Sequence, residues 1–272
     1  MVTRFWPFLC ALILIIWLAL PTPGWGGERE HFQIITGFSY LEGDFGTGTS
    51  SKTVFMPFTF RYLGERFDLG LTIPFVYQDS SAAISVIDGR PIRIRDDPLS
   101  NIINLLAPGV GDLALKGRLY LFDDPGTDSF LPAITPTARV KFPTADASEG
   151  LGTGEYDFGL GLEFEKQVEN FFLFADFGYT FIGDPPGTNL RDQISVGSGI
   201  GYQILQSLSA SVAYAWSRSL VRGTDDPMDI ITNVSWRITR TFTWTPFASF
   251  GLTDGSPDFG VGFTISKRFG RF

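Results

Sequence analysis

From residue 31 onward, apolar residues alternate with small or polar ones along stretches of about 10–14 residues, broken by clusters of Gly, Pro, Asp and Asn. Twelve stretches are read, at roughly 31–42, 51–63, 66–78, 111–122, 131–142, 154–166, 170–182, 191–203, 207–219, 228–239, 241–251 and 258–270. A period of two sends successive side chains to opposite faces of a strand. In the last stretch Phe259, Val261, Phe263, Ile265 and Phe269 share one face, and Gly260, Gly262, Thr264, Ser266 and Arg268 the other. Strands of about 9–11 residues suffice to cross a bilayer. An even strand number is the rule for single-chain bacterial barrels.

The connections alternate in length. Those at 64–65, 167–169, 205–206 and 239–240 are short, and those at 45–49, 79–110, 145–153, 183–189, 221–226 and 253–257 are mostly longer, with 123–129 between the two classes. Short periplasmic turns and longer extracellular loops segregate in this way. The pattern therefore predicts an all-β, transmembrane, antiparallel up-and-down β-barrel of about 12 strands in the bacterial outer membrane.

The pleat then assigns the faces. Rows such as Phe67, Leu69, Leu71, Ile73, Phe75 and Tyr77, or Phe171, Leu173, Ala175, Phe177, Tyr179 and Phe181, point to lipid. The opposite rows are read as small or polar, for example Gln193, Ser195, Gly197, Gly199 and Gly201. The reverse orientation would put charges into lipid at about 2–4 kcal/mol each near the midplane. Arg61, Asp68, Asp112, Lys116, Arg118, Arg139, Lys141, Asp157, Glu163, Glu165, Asp176 and Arg237 are thus predicted to face inward. There they either pair and fill the lumen or form a constriction that selects solutes. Twelve strands lie between the filled interior of eight and the aqueous channel of sixteen.

The ends and the charge refine the picture. Arg4, the apolar run from Phe5 to Leu20 and Gly24-Trp25-Gly26 read as a signal peptide over 1–26, so residues 27–272 form the barrel. Its removal takes away Cys10, the single cysteine, and Arg4, which leaves 20 basic against 29 acidic residues. That acidic balance, with no basic stripe, argues against nucleic acid as a partner. Aromatic residues are 15% of the chain and glycines number 31, as aromatic girdles and tightly packed strands require.

The 79–110 stretch is the least loop-like connection. Ser85 to Arg95 is expected to form a small hairpin around Asp88-Gly89. Asp97-Pro98 has the form of a helix start, and Leu99, Ile102, Ile103, Leu105 and Leu106 then supply a helical apolar stripe. These residues need burial, either against the barrel rim or as a lid folded into the lumen, and rim packing is the expectation.

Other chemistry is thin. His31, the only histidine, falls at the edge of the first strand, which leaves hydrolytic chemistry without a placed general base. The Asp-Asp-Pro runs at 96–98, 123–125 and 225–227 lack calcium-loop spacing and read as turns. No enzyme, metal or cofactor is expected. The partners expected are outer-membrane lipid and lipopolysaccharide, a small-molecule solute, and the barrel-assembly machinery. The last would read the C-terminal strand through Phe263, Ile265 and Phe269 or Phe272.

Gly109-Val-Gly-Asp-Leu113, Val140-Lys-Phe-Pro-Thr144, Gly150-Leu-Gly-Thr-Gly154 and Phe177-Gly-Tyr179, in that order and spacing, carry a resemblance. Over roughly 109–203 the chain resembles the meta-pathway phenol-degradation (MetA-type) transporter-like family of outer-membrane proteins. The resemblance implies a barrel that helps small, often aromatic, compounds cross the outer membrane, a passive channel with no catalytic residues to carry over. The alternative from the residues alone is a structural or surface-interaction barrel with a plugged lumen.

Overall fold

The computed structural model describes residues 31–270 apart from 82–83, 88–89, 96–103 and 127–128. The 1–26 segment, Phe272, and the candidate lid residues Leu99, Ile102 and Ile103 therefore lie outside the described residues. The strands are β1 (His31–Gly43), β2 (Ser51–Leu63), β3 (Phe67–Ser81), β4 (Ile84–Ile87), β5 (Arg90–Arg93), β6 (Asn104–Val110), β7 (Leu113–Leu119), β8 (Ala133–Phe142), β9 (Asp157–Val168), β10 (Phe171–Phe181), β11 (Gln193–Leu205), β12 (Leu208–Ser217), β13 (Met228–Arg237), β14 (Phe242–Gly251) and β15 (Phe259–Phe269). None of the described residues belongs to a helix long and apolar enough to span a bilayer.

Every wall strand pairs antiparallel with its sequence neighbour, and β15 returns to β1 with Phe263 opposite Phe38, so the sheet closes. The wall has twelve strands because β6 and β7 together make one. β3 pairs with β7 up to Thr72↔Ala114 and resumes with β6 at Phe75↔Val110, which leaves one extra residue on the β6–β7 side. This bulge at Gly111-Asp112 bends the strand and lets β3 and β6 continue past the rim to Ser81↔Asn104.

Two expectations are corrected here. The third stretch runs on to Ser81 where the reading stopped it at 78. Leu105 and Leu106 lie on strand β6 and not in a helical stripe, because 104–110 finds a ladder along the extension of β3. An apolar run of that length fits either period, and the available edge decides it.

The outward face is apolar: Phe60, Leu160, Phe177, Trp236 and Val261 are all exposed on the isolated barrel, as a lipid-facing wall requires. Aromatic pairs ring both ends. Phe171 and Tyr202, 4.9 Å between centroids, stand with Phe32, Tyr62 and Phe67 at the short-turn end. Tyr179–Phe181, Tyr40–Phe259 and Phe142–Tyr156 stand at the long-loop end. These are the two interfacial girdles of a membrane barrel. The connection at 120–132 is longer than its fellows at that end. It is pinned by Asp124, whose carboxylate takes Lys166 and the amides of Gln167 and Gly126. Lys166 continues the outward row of β9, so this pairing shields a cation near the lipid edge.

Candidate functional site

Three groups of inward side chains occupy the lumen. Toward the short-turn end, Arg61 of β2, Asp68 of β3, Lys116 and Arg118 of β7 and Glu163 of β9 form one network. Arg61 and the Tyr120 hydroxyl donate to Asp68. Arg118 Nε donates to Glu163 Oε2 at 3.0 Å and Lys116 Nζ to Glu163 Oε1 at 2.7 Å, and Arg118 lies 3.7 Å from Asp68. The alternation places them all on one face, and the register places Asp68 opposite both Leu63 and Arg118. Three cations thus share two carboxylates on one side of the lumen, in a network that limits how far any one can move.

The second group is buried near the long-loop end. Lys141 Nζ sits 2.7 Å from Asp157 and 3.4 Å from Asp112, donates to Thr153 Oγ1 at 2.7 Å, and is 1% exposed. Asp112 also accepts from the amides of Thr144 and Ala145, and Asp157 from that of Gly183, each at 3.0 Å. Gly152 is needed there, because a Cβ would meet the Asp112 carboxylate at 2.5 Å. The short motifs at 109–113, 140–144 and 150–154, far apart in sequence, therefore converge on one ion cluster. Its contacts are all internal, and they tie the 143–156 loop to the ends of β8, β9 and β10.

The third group surrounds a hairpin that enters the barrel mouth. β4 and β5 pair antiparallel, with Ile87 opposite Arg90. Val86 packs with Val76, Leu151 and Phe55, while Ile92 and Ile94 pack with Leu190, Leu220 and Ile182. Ser85 Oγ donates to the Gly150 carbonyl, and Gln78 Nε2 to the Ile84 carbonyl. Arg93 reaches the carbonyls of Phe45 and Gly46. The hairpin is thus held from several sides of the mouth, and its burial comes from the inner faces of the wall and loops. Arg90 Nη1 donates to Asp229 Oδ2 of β13 at 3.2 Å.

Among the described residues, the lumen holds cavities on more than one side. One of 440 Å³ lies between Phe55, Thr59, Thr72, Lys116 and Arg139. One of 340 Å³ is bounded by Arg90, Phe174, Asp176, Gly197, Ala215 and Ile231, and one of 180 Å³ by Ser39, Leu41, Arg90, Phe247 and Ser249. Asp176 lines the second cavity, and its register partner on β9 is Glu163 of the first network. Arg237 is exposed at the short-turn rim, where it donates to the Gln206 carbonyl, and Glu165 is exposed as well. Both sit within a few residues of the short-turn end of their strands.

Sequence reasoning missed the lumen aromatics. Inner faces were expected to be small or polar, yet Phe55, Phe172, Phe174 and Phe247 face inward. The rings of Phe172 and Phe174 lie where Gly201 and Gly199 lack a Cβ; an alanine Cβ at Gly201 would stand 1.9 Å from the Phe172 ring. The signal was present in the register, which sets Phe172, Phe174 and Asp176 against Gly201, Gly199 and Gly197. Arg90 and Asp229 were also missed.

One pH response follows from a group outside the membrane-spanning strands. The Lys166 ammonium, then the amides of Gln167 and Gly126, hold the Asp124 carboxyl down from its ordinary 3.8 to about 2. A lowered value in the folded state means that this contact stabilises fully above the ordinary value and is lost as pH falls through the folded one. The 120–132 connection is expected to stay pinned at pH 4 and to loosen toward pH 2. A titration of the Asp124 carboxyl by NMR in detergent checks this, and a midpoint near 4 would contradict it.

Comparison with known proteins places these observations. The model of a family described as "Putative MetA-pathway of phenol degradation" matches residues 27–269. No curated protein matches the chain. Among solved structures, the COG4313 outer membrane channel from Pseudomonas putida F1 is 13% identical and superposes with a TM-score of 0.65, over 92% of this chain and 100% of that one. The translocator domain of the autotransporter NalP from Neisseria meningitidis is 10% identical with a TM-score of 0.53, over 97% and 95%. At such identities the likeness is one of fold.

Proposed function

The chain belongs to the MetA-pathway phenol-degradation family of outer-membrane barrels, and on that premise we propose that it is a passive channel for small, apolar or aromatic solutes. The observation that carries the reading is the lumen itself: inward-facing Phe55, Phe174 and Phe247 border cavities that the side chains leave unfilled. A lumen built only for stability would be filled by side chains, as in eight-stranded barrels. The fold is shared with an outer-membrane channel, and the reading requires no catalytic group.

In this reading the long loops are extracellular and the short turns periplasmic. The hairpin at 84–93 is the constriction, and the Arg61–Asp68–Lys116–Arg118–Glu163 network lines the exit and sets charge preference. The Lys141 cluster braces the entrance. The closing strand β15, with Phe263, Ile265 and Phe269, is the segment that the barrel-assembly machinery would take up during insertion, before it pairs with β1.

A second reading, a structural barrel plugged by its hairpin, is favoured by the burial of Ile84, Val86 and Ile92. Single-channel recording of the refolded protein in a planar bilayer separates the two. Steady openings are expected, together with uptake of small phenols into proteoliposomes. A silent bilayer, with the folded barrel verified by heat-modifiable gel mobility, would overturn the channel and leave the plug.

A further inference from the structure

Two of the lumen cavities share a boundary. The 340 Å³ chamber faces Phe174, Asp176, Ala213 and Ala215 on β10 and β12, and the 180 Å³ chamber faces Ser39, Leu41, Phe247 and Ser249 on β1 and β14. Arg90, Asp229, Ile231 and Pro257 border both. The sheet order places β13, which carries Asp229 and Ile231, between β12 and β14, so the shared boundary runs along that strand.

Of the four shared residues only Arg90 comes from the hairpin. Its partner carboxylate is set into the wall with 8% of its side chain exposed, whereas the Arg90 side chain is 47% exposed. The guanidinium therefore stands across open lumen, fixed at its far end by a charge-assisted hydrogen bond and at its near end by the hairpin backbone. The backbone is held independently, through Val86 in one apolar cluster and Ile92 and Ile94 in another. Loss of the side chain alone leaves the hairpin seated and removes the hairpin's part of the shared boundary, while Asp229, Ile231 and Pro257 stay in place.

We propose that Arg90, tethered to Asp229, is the specificity-determining partition of the lumen: it fixes the largest solute that can pass between the two chambers. The proposal rests on the channel reading and names the residue that sets its size limit. Arginine suits the task because its planar head is permanently charged and keeps its geometry when bound to a carboxylate. Asp176, on the wall of the larger chamber, has no ion pair among the described residues and leaves that chamber with two carboxylates to one guanidinium.

The test compares wild type with Arg90→Ala/Asp229→Asn, a pair chosen so that no carboxylate is left buried without its cation. Conductance in planar bilayers and the rate of liposome swelling in uncharged sugars of graded size are the readouts, with folding verified by heat-modifiable mobility. The double variant is expected to conduct roughly twofold more and to admit larger sugars, since an enclosed bore scales with the space its side chains vacate. Arg90→Lys keeps the bulk and the charge and is expected to hold the wild-type size limit. Asp229→Asn alone frees the tether without removing volume, and is expected to replace one steady level with fluctuation between two. A wild type that conducts while both the double variant and Asp229→Asn match it in level, noise and sugar limit would overturn the partition and spare the channel. A folded wild type that is silent would instead remove the channel reading on which the partition depends.

Discussion

Replacing residues 82–103 with a two-residue Asn-Gly turn is expected to yield a folded barrel whose single-channel conductance is at least roughly twice that of the parent, as bore governs passage through an enclosed lumen. The graft point follows from the register: Ser81 and Asn104 are partners across β3 and β6, which is where a tight hairpin closes. No wall pairing is lost, because β3 keeps its ladders to β2, β6 and β7. What is lost is the apolar contact of Val86, Ile92 and Ile94 with Val76, Leu151, Leu190 and Leu220. Each buried aliphatic side chain contributes about 1.5–3 kcal/mol, so stability should fall, yet the closed wall remains. Recording of the excised variant beside the Arg90→Ala/Asp229→Asn variant ranks the whole hairpin against the Arg90 side chain. Conductance equal to that of the parent would mean that solutes bypass the hairpin.

The parts of this molecule that meet lipid were legible in its sequence. Lipid imposes a strict alternation, and rows such as Phe158, Leu160 and Leu162 obey it residue by residue. The lumen imposes no such rule. Phe171-Phe-Leu-Phe-Ala-Asp-Phe177 carries aromatic residues on both faces, and only the opposing Gly199 and Gly201 show why the inner rings are accommodated. The contact of Arg90 with Asp229 joins positions 139 apart, beyond the reach of any local pattern. Leu105 and Leu106 read as the end of a helical stripe because nothing in the sequence announces that β3 will project beyond the rim and offer an edge. The ion pairs occupy an intermediate place. Alternation required Lys141, Asp112 and Asp157 to point inward, but which charges meet depends on the bulge at Gly111-Asp112 and on strand register.

That last cluster carries the largest expected effect on stability. In Lys141→Met the hydrophobic stem is kept and the ammonium is lost, so Asp112 and Asp157 lose the one cation that contacts both, and Asp157 is left with Arg139 nearby. Removal of one partner from a buried ion pair costs about 3–5 kcal/mol, and here one cation serves two carboxylates. The variant is expected to refold poorly and to lose heat-modifiable mobility at a temperature well below that of the parent. Lys141→Met/Asp112→Asn, which neutralises one carboxylate and keeps Asp157 for Arg139, should recover part of the loss, since it avoids a buried carboxylate without a cation. The consequence extends past stability. Asp112 anchors the Thr144 and Ala145 amides, and the same loop supplies Leu151 to the cluster that seats Val86 of the hairpin. Under mild conditions, where Lys141→Met is still folded, its conductance should therefore be noisier than that of the parent as the hairpin loosens. A variant with the parent's melting behaviour would show that the two carboxylates are satisfied without Lys141. One that is destabilised but electrically quiet would uncouple the ion cluster from the hairpin.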